Sequence, residues 1–315
     1  MSALTEEPKS TLLKERRSRL WDHIKYEHLA AGTSAGVAAT LVLHPLDVVK
    51  IRFAVHDGIH STPKYSSIPN AFSTIYRTEG FWGLYKGATP NICGAGASWG
   101  LYFFCYNAIK NFIQQGNVNT ALGPGSHLLA ASEAGLATLL ITNPIWVVKT
   151  RLCLQFANAD EKLRPNQRYK GMFDCLMKIY QAEGVKGYYK GLTPGIFGVS
   201  HGAVQFMVYE EMKNRYQYYK KLPISTKLGT VEYLTFSATS KLMAVLATYP
   251  YQVVRARLQN QHYSYENATD CVRKISLHEG WRGFYKGLGT NLLRVIPATM
   301  ITFVVYENVS HLLLK

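Results

Sequence analysis

HPLDVVKIR (residues 44–52), NPIWVVKTR (143–151) and YPYQVVRAR (249–257) are one device written three times. Each closes a long apolar run, and each holds a proline, a two-valine step and paired basic residues. The position two after the proline changes from Asp47 to Trp146 to Gln252. A chain that repeats a proline-bent, basic-ended helix and then drops the acid from two copies has a functional asymmetry laid over a structural repeat.

Working outward, Pro45, Pro144 and Pro250 are 99 and 106 residues apart. Downstream lie three further matching segments, EGFWGLYKG (79–87), EGVKGYYKG (183–191) and EGWRGFYKG (279–287). An amphipathic stretch precedes each, opening on Tyr65, Tyr169 or Tyr265, always 14 residues before its glutamate. Repetition at this spacing marks an array of like units. The expected divisions are a tail over 1–24 and repeats over 25–120, 121–225 and 226–315.

Composition sharpens this reading. The 315 residues carry 35 Lys and Arg against 20 Asp and Glu, a net +15. That balance favours nucleic acid, an anionic membrane surface or anionic small molecules as partners. Mean hydropathy is near zero, yet the apolar residues cluster in six runs near 29–53, 90–112, 127–154, 194–213, 232–258 and 290–312. Each is long enough to cross ~30 Å of hydrocarbon. Each is diluted with Gly, Ser, Thr and Asn, as suits helices with lipid on one side and a watery cavity on the other. The three stretches 50–86, 149–190 and 255–286 together hold 20 Lys and Arg against nine acids. Six spans would place all three on one face and both termini on the other, with the basic face inside. Five cysteines, an odd number without CxxC spacing, favour reduced or inert thiols over disulfides or zinc. The N-terminal stretch reads as a short solvated tail rather than a signal or transit peptide.

The motif P-x-[D/E]-x-x-[K/R]-x-[K/R], followed some 30 residues later by [D/E]-G-x4-aromatic-[K/R]-G, recurs three times from about residue 25 onward, with its first acid kept only in the first copy, and resembles the mitochondrial carrier family. The resemblance implies an all-α membrane protein: six transmembrane helices in three tandem two-helix repeats, threefold pseudosymmetry and short matrix helices. It implies alternating access across the mitochondrial inner membrane by a monomer, with both termini toward the intermembrane space. Within the family, PIW in the second repeat with PYQ in the third resembles members that carry large aromatic vitamins and cofactors, FAD and folate. NIxGAxxSWGLYFFxYNAIK (91–110), SHGAVQFMVYE (200–210) and ITFVVYENVSH (301–311) add to that likeness. No permanently bound cofactor is expected; FAD or folate (tetrahydrofolate) would be the transported solute. Carriers of pyrimidine nucleotides or NAD, which share the tryptophan, are the alternative.

Carried onto this sequence, the resemblance assigns roles. Pro45, Pro144 and Pro250 would bend the odd helices so that they converge at the matrix end. There Asp47 would pair with Lys149, Trp146 would face Arg255 in a cation–π contact, and Gln252 would face Lys50, with Gln259 as a brace. Lys50 and Arg255 then lack anionic partners, and an anionic solute would use them while the Trp146 indole offers a stacking face; Trp146 as a bulky plug is the plainer reading. At the other gate, Glu307 would pair with Lys110, Asn107 with Lys213 and Glu210 with Ser310. Seven residues past each aromatic-Lys-Gly lie Gly94, Gly198 and Arg294, the expected binding level. Arg294 suits a bidentate contact to phosphate or carboxylate. Gly94 and Gly198 either make room for a ring system or let helices pack closely. Asn91, Ser98, Tyr102, His201, Gln205 and Asn291 would line the cavity. Tyr102 and Trp99 read as stacking partners or as lipid-facing rings, and His201 as a hydrogen-bonding wall residue or a proton relay. Glu133 and Lys241 are intramembrane charges that guide solute or pair with another helix. Gly32/Gly36 and Ala131/Gly135 form small-residue seams. Lys86–Gly87, Lys190–Gly191 and Lys286–Gly287 open the even helices, where backbone N–H groups bind anions; in the family such sites hold cardiolipin.

Other classes fit less well. Enzyme signatures such as G-x-S-x-G, a Walker loop, HExxH or GxGxxG after a strand are missing, and no metal cluster is expected. Six apolar runs without a basic helix count against nucleic acid. A soluble helical-repeat scaffold is the remaining rival.

Overall fold

The computed structural model describes residues 26–56, 65–114, 123–156, 168–221, 223, 229–262 and 265–313; the expected N-terminal tail lies outside them. Every regular element among the described residues is helical. Six helices of 26–30 residues dominate: α1 (Tyr26–Val55), α3 (Ala88–Ile113), α4 (Pro124–Cys153), α6 (Leu192–Tyr219), α7 (Thr230–Gln259) and α9 (Leu288–Leu313). At ~1.5 Å per residue each is roughly 40–45 Å long, more than the hydrocarbon core requires. Three stretches, Gly32–Val55 in α1, Gly125–Cys153 in α4 and Trp281–Val309, which runs into α9, are both long and apolar enough to cross a membrane. Large apolar side chains such as Phe104, Phe112 and Phe197 stand exposed on these helices, a surface suited to lipid. Pro45, Pro144 and Pro250 each sit inside an unbroken helix.

Between the long helices of each repeat runs a short amphipathic one: α2 (Ile68–Glu79), α5 (Met172–Glu183) and α8 (Ala268–His278). Side chains of Ser67 and Asn267 cap α2 and α8 by accepting from the backbone N–H of Asn70 and Asp270. Each short helix buries an apolar pair: Ala71 with Ile75, Cys175 with Ile179, Cys271 with Ile275. The Glu-Gly step that follows turns on a left-handed glycine, φ 71° at Gly80 and 64° at Gly184 and Gly280.

The described residues fall into two compact bodies, those within 1–43 and 295–315 and those within 44–294. Inside the larger body the repeats meet in cyclic order. Arg52 donates to the Cys153 carbonyl (3.0 Å) and Lys86 to that of Gln155 (2.8 Å), joining the first repeat to the second. Thr150 donates to Gln259 (2.7 Å), joining the second to the third. Arg257 donates to the Ala54 carbonyl (3.0 Å) and Lys286 to that of His56 (2.7 Å), joining the third to the first. The Lys-Gly turns fit this seam tightly. A methyl on Gly87 (φ 83°) would stand 3.0 Å from the Lys149 carbonyl, one on Gly191 3.1 Å from that of Arg255, and one on Gly287 2.8 Å from that of Lys50.

The small-residue seams divide. A methyl on Gly135 would meet Val199 at 3.2 Å, a close approach, whereas Gly32 and Gly36 have nothing within 4 Å.

Candidate solute site and gate

The valine step and the basic residues of the triple motif put the polar ends of α1, α4 and α7 together. Asp47, 5 % exposed, is the hub. Its carboxylate lies 3.5 Å from Lys149 and 3.0 Å from Arg294, and Asn91 donates to it at 3.2 Å. Lys50 donates to Gln252 at 3.0 Å. One carboxylate thus faces two cations, and a neutral amide answers the third.

The geometry differs from expectation around Trp146. Lys149, three residues on, stands over the indole at 5.3 Å from the ring centre, while Arg255 donates to Asn143 at 3.1 Å. One helical turn brings Lys149 over its own Trp146, and the Asn143 amide oxygen gives Arg255 a directed hydrogen bond that a π-face does not. Among the described residues no acid pairs with Arg255. Gln259 holds Thr150 rather than an ion pair. Arg294 is engaged by Asp47 rather than standing free, and Asn91, buried, ties His44 (3.3 Å) to Asp47 instead of lining a cavity. Asn291 is likewise buried.

Gly94 and Gly198 do not leave open room. A methyl on Gly94 would meet Ile145 at 3.1 Å and the Trp146 ring at 3.5 Å, and one on Gly198 would meet the Tyr251 ring at 2.9 Å. The two glycines seat the side chains that follow the prolines of the next repeat.

Two adjoining spaces result. A pocket of about 210 Å³ is lined by Trp146, Tyr251, Arg255, Ser98, Thr138 and Thr142, among others. It shares Gly135 and Val199 with a wider, mostly apolar chamber of about 860 Å³ between α3, α4 and α6, whose walls include Tyr102, Tyr106, His127 and Phe206. Tyr102 stacks on Tyr106 (6.2 Å), which hydrogen-bonds His127 at 2.8 Å. Trp99 is outside this chamber, 64 % exposed and stacked on Phe103. His201 shares a hydrogen bond with Thr248 at 2.8 Å, as a wall residue would, and Gln205 is half-buried. Glu133 is exposed and Lys241 half-buried.

At the other expected gate, Lys213 lies 3.6 Å from Glu210 on its own helix, not against Asn107, which is exposed. Three residues make a single helical turn, so this local pair forms without any closure between helices. Lys110 is half-buried; Glu307, in the smaller body, is exposed. The side chain of Ser310 lies outside the described residues.

Sequence reasoning missed two sets of residues. The second basic residue of each motif, with no role assigned to it, is nearly fully buried and grips the glutamate of its own repeat: Arg52 with Glu79 (2.6 and 2.8 Å), Arg151 with Glu183 (2.8 Å) and Arg257 with Glu279. Lys86, Lys190 and Lys286 close the same glutamates at 2.9, 2.8 and 2.5 Å. These lysines, expected to be open to anions, are therefore already ion-paired. The second set precedes each proline. His44 meets the Lys86 carbonyl (3.0 Å), Asn143 donates to that of Tyr188 (2.7 Å) and Tyr249 to that of Lys286 (3.2 Å), each bonding the turn of its own repeat. A hydrogen-bonding residue before all three prolines was the available signal.

With this geometry in place the class is plain: the chain belongs to the mitochondrial carrier family. The family model for mitochondrial carrier protein matches three successive segments, 24–117, 120–220 and 226–315. Among curated relatives, it is 43 % identical over 300 residues to folate transporter 1, chloroplastic, of Arabidopsis thaliana, covering 92 % of this chain and 96 % of that one. It is 40 % identical over 292 residues to the same plant's chloroplastic nicotinamide adenine dinucleotide transporter 1, covering 90 % and 91 %. It is 32 % identical over 312 residues to the mitochondrial FAD carrier protein FLX1 of Saccharomyces cerevisiae, covering 92 % and 98 %.

Proposed function

We propose that this chain is a monomeric carrier of the mitochondrial inner membrane that moves a large aromatic anion, FAD or folate (tetrahydrofolate), by alternating access. Six spanning helices in threefold arrangement, with both termini toward the intermembrane space, are part of this reading. The observation that carries it is the pairing of an aromatic-walled chamber of about 860 Å³ with a smaller pocket holding Arg255, a cation with no acidic partner among the described residues. The chamber lies within the ~300–1,000 Å³ range of small-molecule sites. The names of the folate and FAD relatives point to the same solutes.

The contacts Asp47–Lys149, Lys50–Gln252 and Arg255–Asn143 form the matrix-side seal. Only one is an acid–base pair, so opening costs less than breaking three buried ion pairs. Solute anion replacing Asn143 at Arg255 and Asp47 at Arg294 would supply part of the drive. A chloroplast is the rival membrane, given the plastid names of two relatives. Cardiolipin is proposed at the mouth of α3, where a pocket of about 230 Å³ combines Lys86, Gly87, Lys170 and Gly171; helix N-termini favour phosphate.

NAD is the second reading, favoured by the 40 % identity to an NAD transporter. Reconstituted protein assayed for uptake of labelled FAD, tetrahydrofolate, NAD and UTP decides: preference for FAD or tetrahydrofolate supports the first reading, and preference for NAD or UTP overturns it.

A further inference from the structure

Two hydroxyls in the wall of the 210 Å³ pocket are left unpaired by the packing. Thr138 is 7 % exposed and its hydroxyl has no hydrogen-bond partner; the buried Ser98 hydroxyl across the pocket also has none. A buried hydroxyl left unpaired costs about 1–3 kcal/mol, so two facing one small pocket mark a place where a ligand atom belongs. Arg255 lines the same pocket and is held there by Asn143, itself fully buried and anchored at its other end to the Tyr188 carbonyl. Trp146 and Tyr251 supply two aromatic surfaces, each fixed against a glycine of the neighbouring repeat. The pocket is smaller than the ~300 Å³ at which small-molecule sites begin, and it shares Gly135 and Val199 as wall residues with the larger chamber.

We propose that this pocket is the subsite for the anionic end of the solute, its carboxylate or phosphate together with the aromatic ring nearest that group, with Arg255 and the hydroxyls of Thr138 and Ser98 on the anion and Trp146 and Tyr251 on the ring. This rests on the transport reading and fixes the orientation of the solute: charge toward the proline motifs, bulk in the chamber. Asn143 is a positioning residue, acting through Arg255.

The test needs no transported solute. Full-length protein in detergent is melted with benzoate, phenyl phosphate or benzamide. Both anions, or one of them, should raise the melting temperature and benzamide should not; the better anion shows whether carboxylate or phosphate is the natural group. Thr138→Val, nearly isosteric, should keep the unliganded melting temperature and weaken anion binding about tenfold, the worth of one charge-assisted hydrogen bond. Arg255→Gln should abolish it, and Asn143→Ala should weaken it while Asn143→Gln restores part. Equal protection by benzamide, no protection by either anion, or undiminished anion binding in both Thr138→Val and Arg255→Gln overturns the subsite. Failure to transport FAD or folate would sink the transport reading and leave these melting curves unchanged.

Discussion

Asp47 shows what a single carboxylate can hold. It faces Lys149 and Arg294, so replacing it by asparagine strands two partly buried cations at once. Between the values for exposed and buried pairs, the expected loss is about 2 kcal/mol, read as a lower melting temperature of purified Asp47→Asn protein; an unchanged melting temperature would show the hub carries no stability. Trp146 is the complementary case. Trp146→Asp places a carboxylate in the pocket that Arg255 lines and next to Lys149. It should raise the melting temperature and slow turnover in liposomes, because an internal anion occupies the guanidinium. Faster turnover would mean that Arg255 is not waiting for a solute anion.

The short helices are held by three copies of one ion-pair cluster, and these give the chain a pH dependence. Burial pushes Glu79, Glu183 and Glu279 upward, but the arginine hydrogen bonds and charge, joined by the lysine, outweigh it and leave all three below the ordinary 4.5. A depressed acid adds stability that is complete above its unfolded value and is lost as pH falls through the folded one. Melting temperature should therefore hold above pH 4.5 and fall below it, and Glu279→Gln should flatten part of that fall. Gly87→Ala should cost about 2 kcal/mol, since the left-handed φ and the 2.8 Å approach to Cys153 Sγ both resist a methyl; differential melting against wild type measures it. The elements themselves were legible in sequence: the six apolar runs place the long helices, and the Lys-Gly steps mark where the even ones open. The clusters were not, because pairing Arg52 with Glu79 requires knowing how the short helix folds back, which no local pattern states.

At the scale of the molecule, the threefold repeat was readable because each copy keeps the same residue at the same spacing. The asymmetric site was only partly so. Asp47, Lys149, Lys50 and Gln252 fall where the family resemblance puts them. Arg294 and Asn91 do not, because Asp47 draws both inward; for Gly94 and Gly198 the close-packing alternative holds, with Trp146 and Tyr251 filling the space. Side-chain competition for one carboxylate, or for the space above a glycine, is settled in three dimensions. The account centres on Arg255 as the cation freed by the loss of two acids. Proteoliposome uptake of FAD and tetrahydrofolate by Arg255→Ala protein, with insertion checked by recovery in the vesicles, tests this most directly. Uptake should be lost with insertion intact; wild-type uptake by the variant would contradict the account.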